Sequence, residues 1–309
     1  MPRTPKRIRP TQERMAPMSK TLAPSRTVTT RDRKGLKFIS IVEAAYNKAG
    51  LSEDEAQRVN DTAGLAGLIG TFIADNRLTD RYKDEEVKSS YGYLSGYKKP
   101  KDVIAQTNLL RQLFPGVGFA NEQMARPDVA NAEGYFAIPR WQSIAPMYGE
   151  AVQKVLDALK KAYKGRFKNW REGELGPDQL RQSAKSVAFW EQIGEQQKGF
   201  DILLIPAQFG IRHRGRSVRR AREVMEQNEC GLGAFAVGIM LLTHEDRLRH
   251  YDDLWIDCAG DEFHDPRNSD APFDRAPIFS FNDDKLGFGT LWSGSADGNY
   301  GSASGWRIG

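Results

Sequence analysis

The sequence predicts an α+β protein: a helical N-terminal unit followed by a mixed-sheet α+β domain, preceded by a disordered basic arm. Three observations carry this. Apolar residues recur at helical spacing between residues 38 and 114. Continuous apolar runs of strand length, such as residues 202–205, come later in the chain. Residues 1–40 hold eleven Lys/Arg against two Asp/Glu. The expected divisions are the arm at 1–35, the helical unit at 36–115, a linker at 116–133 and the α+β domain at 134–309. A chain of 309 residues with 39% hydrophobic and 28% charged residues can build a sizeable core.

The arm carries prolines at positions 2, 5, 10, 17 and 24 and few apolar groups, so burial cannot offset the entropy of ordering it. From Phe38 the pattern is helical, with Ile41, Val42, Ala45 and Ala49 on the same face and Gly50 as the stop. Ser52-x-x-Glu55 is a capping box for a helix expected to reach about Ala74. Gly64, Gly67 and Gly70 lie in that helix, each costing ~1 kcal/mol relative to Ala, and a close partner helix would explain them. Pro100 opens a further helix with Val103, Thr107, Leu110 and Phe114 in one stripe and Pro115 closing it. Residues 134–138 read as a strand and 145–163 as an amphipathic helix burying Tyr148, Val152, Val155, Leu159 and Ala162. Gly176-Pro177 is expected to start the next helix, with Leu180, Ala184, Val187 and Ile193 inward. Residues 202–205, 234–242 and 254–258 are expected strands. Residues 278–282 and 285–290 form a hairpin around Asp283-Asp284, and 293–305 should be mostly turn.

Charge is unevenly placed. Outside residues 1–40 the chain has 34 basic and 38 acidic residues, so the net +5 belongs to the arm and the body is mildly acidic. Cys230 and Cys258 make neither a metal motif nor a disulfide framework, which suits a reducing, cytoplasmic setting. The apolar run 233–242 is ten residues, short of the ~20 a bilayer needs, so no membrane partner is expected. No dinucleotide fingerprint, phosphate-binding loop or nucleophile elbow is present, and the sequence names no cofactor and no metal site.

Three groups of residues carry chemistry. Six arginines lie between 212 and 222. If 211–216 is extended, Arg212, Arg214 and Arg216 project to one side without a local acid, just before a helix beginning near Ser217. A strand end, a glycine loop and a helix N-terminus together favour phosphate or carboxylate. Arg219 and Arg222 instead precede Glu223 and Glu226 by four residues, a spacing suited to exposed ion pairs worth ~0.3–0.5 kcal/mol each. The second group is acidic: Asp253 and Asp257 on one strand face, then Asp261, Glu262 and His264 in the adjoining loop. Asp257, Asp261, Glu262 and His264 are the candidates for acid–base chemistry, with a structural network neutralising the arginines as the alternative. Third, Tyr93, Tyr97, Lys98 and Lys99 interleave aromatics with lysines, a pattern that either stacks on bases or anchors a loop.

The combination of IPAQFGIRHRGRSVRRAR with DLWIDCAGDEF, FGTLW and YGSASGW resembles a group of conserved bacterial proteins over roughly residues 134–309. That resemblance implies a bacterial cytoplasmic protein and carries no activity with it. The leading expectation is therefore a binder of nucleic acid, RNA before DNA, or of another polyanion. An enzyme acting on a small phosphorylated or carboxylated substrate is the alternative, and a structural or protein-interaction module the third.

Overall fold

In a computed structural model, the structure describes residues 29–62, 64–75, 80–125, 129–267 and 271–308. The α+β class holds, with helices and mixed sheets in one chain. Most of the expected basic arm, residues 1–28, lies outside the described residues. The chain divides into two compact units, Met1–Gly70 and Thr71–Gly309.

In the first unit α1 (Arg33–Ala49) ends at Gly50, which takes the left-handed conformation a helix C-cap favours. The capping box forms as expected and starts α2 (Glu53–Asn60). One expectation fails here: the helix does not continue to Ala74. Asp61 caps α2, Gly64 adopts φ +95°, and a separate α3 (Leu65–Asp75) follows. A Cβ at Gly64, Gly67 or Gly70 would meet no atom within 4 Å, so among the described residues no partner helix approaches them.

The division at Gly70 falls within α3, and the next helix of the second unit is α4 (Val103–Leu113), N-capped by Asp102. Two sheets follow. The first is four-stranded, in the order β1 (Gly134–Pro139), β4 (Ile202–Gln208), β11 (Ser304–Trp306), β5 (Glu229–Gly231). The second is seven-stranded. Its central strand β8 (Arg275–Asn282) pairs along one edge with β9 (Lys285–Trp292), and β9 with β2 (Phe167–Asn169). The other edge of β8 meets β6 (Trp255–Asp257) and β7 (Asp261–Phe263). β10 (Tyr300–Ser302) and β3 (Leu180–Gln182) finish the sheet beyond β6 and β7. The β8–β9 turn is the expected one. Asp283 and Asp284 sit at φ 48° and 55°, the two positive values a tight hairpin of matching twist requires.

Helix α5 (Tyr148–Ala162) buries Ala151, Val152, Val155, Leu156 and Leu159, close to the expected stripe. Three expectations fail nearby. Residues 234–242, expected as a strand, form the helix α8 (Ala234–Thr243), all ten of whose residues are buried. An apolar run without periodicity marks burial on every side, and a helix enclosed by α4, α5 and β1 satisfies that as well as a central strand. Gly176-Pro177 opens no helix: Leu180 pairs with Phe263 in β3, and Ser183 caps α6 (Ala184–Gln196). Finally, residues 293–305 are not mostly turn, because β10 and β11 are each inserted into a sheet.

Candidate functional site

The arginine segment is not extended. Residues Ile211–His213 form a 3-10 turn, and Ser217 caps a short α7 (Val218–Val224). The absence of local acids holds for neighbours along the chain but not in space. Arg212 bonds Glu226 at 2.7 Å and Glu229 at 3.2 Å. Arg214 donates to the carbonyl of Tyr91 at 2.8 Å, and Arg216 lies 3.5 Å from Glu86. Arg219 pairs with Glu85, and Arg220 with Glu86. Arg222 donates to the carbonyls of Ala259 and Asp261 at 2.8 and 2.7 Å. A strap at residues 85–91 thus takes up four of the six arginines, and the expected i,i+4 pattern gives way to these distant partners.

Beneath the loop, buried His213 bonds Glu229 at 2.7 Å through Nε2. Guanidinium groups only donate, so the 3.3 Å contact from Arg216 makes Nδ1 the acceptor and places the ring proton on Nε2. Burial lowers the His213 pKa against the opposing pull of Glu229. Burial alone would raise Glu229, but hydrogen bonds from His213, Ser304 and the Glu226 amide hold it at about 2. This is a structural network whose members bind one another.

The acids separate. Asp253 accepts from the amides of Leu94, Ser95, Arg249 and His250 and pins two loops together. Asp257 is buried on the opposite side of β6 from Ile256, and its Oδ2 has no partner among the described residues; burial pushes its pKa up to about 7. Glu262 pairs with Arg181 at 2.8 Å. His264 packs its ring near Phe273, with Nδ1 unpartnered among the described residues. Asp265 bonds Arg171 at 2.7 Å. The acids that pair with the trio come from 86, 226 and 229 rather than from residues 257–264.

The Tyr/Lys loop is held by the fold. The hydroxyls of Tyr93 and Tyr97 donate to Glu133 at 2.5 and 2.8 Å, and the fully buried Arg247 lies 3.7 Å over the Tyr93 ring. Tyr97 is 3% exposed, while Lys98 and Lys99 face solvent. Glu133 and Arg247 had no sequence signal of their own; their importance comes from what folds onto them. Cys230 and Cys258 are buried free thiols.

Asp261 is the predicted acid that does reach a cavity, through Tyr148. The Tyr148 hydroxyl bonds Asp261 at 2.7 Å, and the same carboxylate accepts from the Ala234 amide at 2.7 Å, capping α8 from a distant strand. A side chain at Gly233 would strike both the Asp261 carboxylate and the Tyr148 hydroxyl, so glycine is required there. Burial pushes Asp261 up to about 7 despite these hydrogen bonds, and pushes the Tyr148 phenol well above its ordinary value. Tyr148 faces a cavity of about 560 Å³ between β1, α6 and the start of α8. Trp141, Trp190 and Phe235 supply aromatic walls, and Gln182 a polar contact. Glu191 and Glu195 are exposed at its edge, one helical turn apart on α6. Arg140, the one basic residue lining it, donates instead to the carbonyls of Gly194, Gln197 and Phe200 at the end of α6. The sequence marked Tyr148 as an inward-facing core residue; its hydroxyl's role appears only when β7 brings Asp261 beside it.

Among the described residues no helix is long and apolar enough to cross a membrane. Comparison with protein-family models, curated proteins and solved structures finds no match to the chain.

Proposed function

We propose that the protein binds a small organic cation, an amine with an apolar body, in the cavity beside Tyr148. The carrying observation is the imbalance of its lining: aromatic walls and two carboxylates, with the single guanidinium already committed to α6 carbonyls. Aromatic faces attract a desolvated cation by ~0.5–2 kcal/mol, and each exposed carboxylate adds ~0.2–1 kcal/mol. An anion would meet repulsion from Glu191 and Glu195, opposed only by Arg140, whose Nε and Nη2 are spent on backbone carbonyls. At the inner end, the Tyr148–Asp261 pair offers a hydroxyl whose proton is shared with a carboxyl poised near neutrality.

Calorimetric titration with phenethylammonium and with benzoate, matched in size and opposite in charge, tests this reading. The ammonium is expected to bind and the benzoate not, with Glu191→Gln/Glu195→Gln weakening the cation about tenfold. Tyr148→Phe should weaken it further while raising the Asp261 pKa, read by carboxyl NMR. Equal binding of the two probes would sink the proposal.

A second reading rests on the eleven Lys/Arg within residues 1–40: contact with RNA or another polyanion by that segment, aided by exposed Lys98 and Lys99. Arg212, Arg214 and Arg216 add little to it, being engaged within the fold.

A further inference from the structure

The seven-stranded sheet packs the Phe279 side of β8 against α8 and α5 and has a second face on the other side. Alternation along β8 sends Phe279 and Phe281 to the core and Ile278 and Ser280 to this face. The strand registers place Gly287 and Gly289 of β9, and Trp255 and Asp257 of β6, on the same side. Helix α7 covers one end, where Val218, Ala221 and Met225 pack on Ala276. The remainder is a groove of about 470 Å³.

Aromatic groups stand on both of its sides. Trp170 follows β2, its amide donating to the Phe288 carbonyl at 2.9 Å, and its indole is 67% exposed. The ring reaches over β9, where a Cβ at Gly289 would make an ordinary 3.6 Å contact with its edge, and the Lys168 ammonium lies 4.9 Å from the ring centre. Opposite, Trp255 and Tyr300 stack with centroids 5.6 Å apart and planes 18° from parallel. β8 runs between these supports, which sets them roughly 10 Å apart by ordinary strand spacing. That is room for one or two sugar rings. The floor is mixed, with Ile278 and Ser280.

The polar end of the groove decides the ligand class. Arg171 bonds Glu174 at 3.2 Å and Asp265 at 2.7 Å, and Arg267 bonds the same two acids at 2.5 and 3.4 Å. These two cations and two anions balance one another as an array of donors and acceptors, with Lys168 as a further cation over Trp170 at the other side. Such an array attracts neither phosphate nor ammonium strongly, but it can exchange hydrogen bonds with hydroxyl groups. The Nε of Arg171, buried and without a partner among the described residues, adds an unspent donor there. Aromatic platforms suit the C–H faces of pyranose rings, whose hydroxyl rims need the charged but neutralised end. We propose that this face binds a neutral saccharide, stacked between Trp170 and the Trp255–Tyr300 pair. The site is separate from the cavity beside Tyr148 and does not depend on the cation reading.

The test uses the full chain with cellohexaose, chitohexaose and maltohexaose, followed by tryptophan fluorescence and calorimetry, and with a uridine hexanucleotide as the competing polyanion. At least one oligosaccharide is expected to bind at millimolar concentration or tighter, with an affinity insensitive to salt. Trp170→Ala, a change at a well-exposed side chain, and Trp255→Phe should each weaken it, the former about tenfold or more. Trp141→Ala, in the other cavity, should leave it unchanged. Binding of none of the three sugars, undiminished binding by Trp170→Ala, or tighter binding of the hexanucleotide through the same tryptophans would overturn the proposal.

Discussion

Asp257 and Asp261 sit four residues apart and share a raised pKa of about 7, yet they differ in what surrounds them. Asp261 has a phenol and a helix amide; the Oδ2 of Asp257 has no partner among the described residues. A carboxyl whose folded pKa lies above its unfolded value binds more protons in the folded state, so its contribution falls as pH rises from about 4 through 7. Asp257→Asn should therefore match the parent near pH 4 and exceed it above pH 7, by up to roughly 4 kcal/mol for a shift of this size. Urea midpoints at pH 4.5, 6 and 8 measure this; an unchanged difference across the series would show that the carboxyl is not isolated. Glu229 works in the other direction. Held at about 2, it supports the fold fully above its ordinary value of 4.5 and loses that support progressively as pH falls from there to about 2.

At the scale of elements, the strap at residues 85–91 and the arginine loop form one unit. Glu86 serves both Arg216 and Arg220, and the Arg220 side chain is 6% exposed. Removing a carboxylate from a buried pair costs about 3 kcal/mol or more, whereas a pair nearer the surface costs ~1 kcal/mol or less. Glu86→Ala should destabilise more than Glu85→Ala, because it takes a carboxylate from two arginines, one of them only 6% exposed, although the Glu86 carboxylate itself is more exposed than that of Glu85, 33% against 17%. Thermal unfolding of the two variants distinguishes them, and equal losses would mean that the strap is held by its backbone bonds instead. The same loop shows why the arginines misled. Their helical spacing to Glu223 and Glu226 was legible, but Glu85 and Glu86 lie more than 130 residues away in the chain. Helix α8 gives a comparable lesson. Residues 234–242 announced burial without announcing conformation, because hydrophobicity on all sides removes the periodicity that separates helix from strand.

For the whole molecule, charge divides between a basic segment at residues 1–40 and a mildly acidic remainder. The basic excess in residues 1–40 predicts polyanion affinity that falls steeply with salt, by roughly 10²–10³-fold between 50 and 200 mM for about six phosphate contacts to a single strand. Deleting residues 1–28 should remove most of that affinity, while Arg214→Ala should change it little; the opposite pattern, in a filter-binding assay with an RNA oligomer, would return the site to the arginine loop. By itself the sequence determined the α+β class, the capping box at Ser52 and Glu55, the β4 strand, the stripe of α5 and the Asp283-Asp284 hairpin. Each depends on residues a few positions apart, where caps, turns and periodicity act. The tertiary structure alone decided that 234–243 is a helix, that Arg216, Arg219 and Arg220 are neutralised by a distant strap, and that Tyr148 meets Asp261 beside a cavity. Those outcomes depend on which surfaces share the space left by the core, and burial and charge pairing act through space with no regard for separation along the chain.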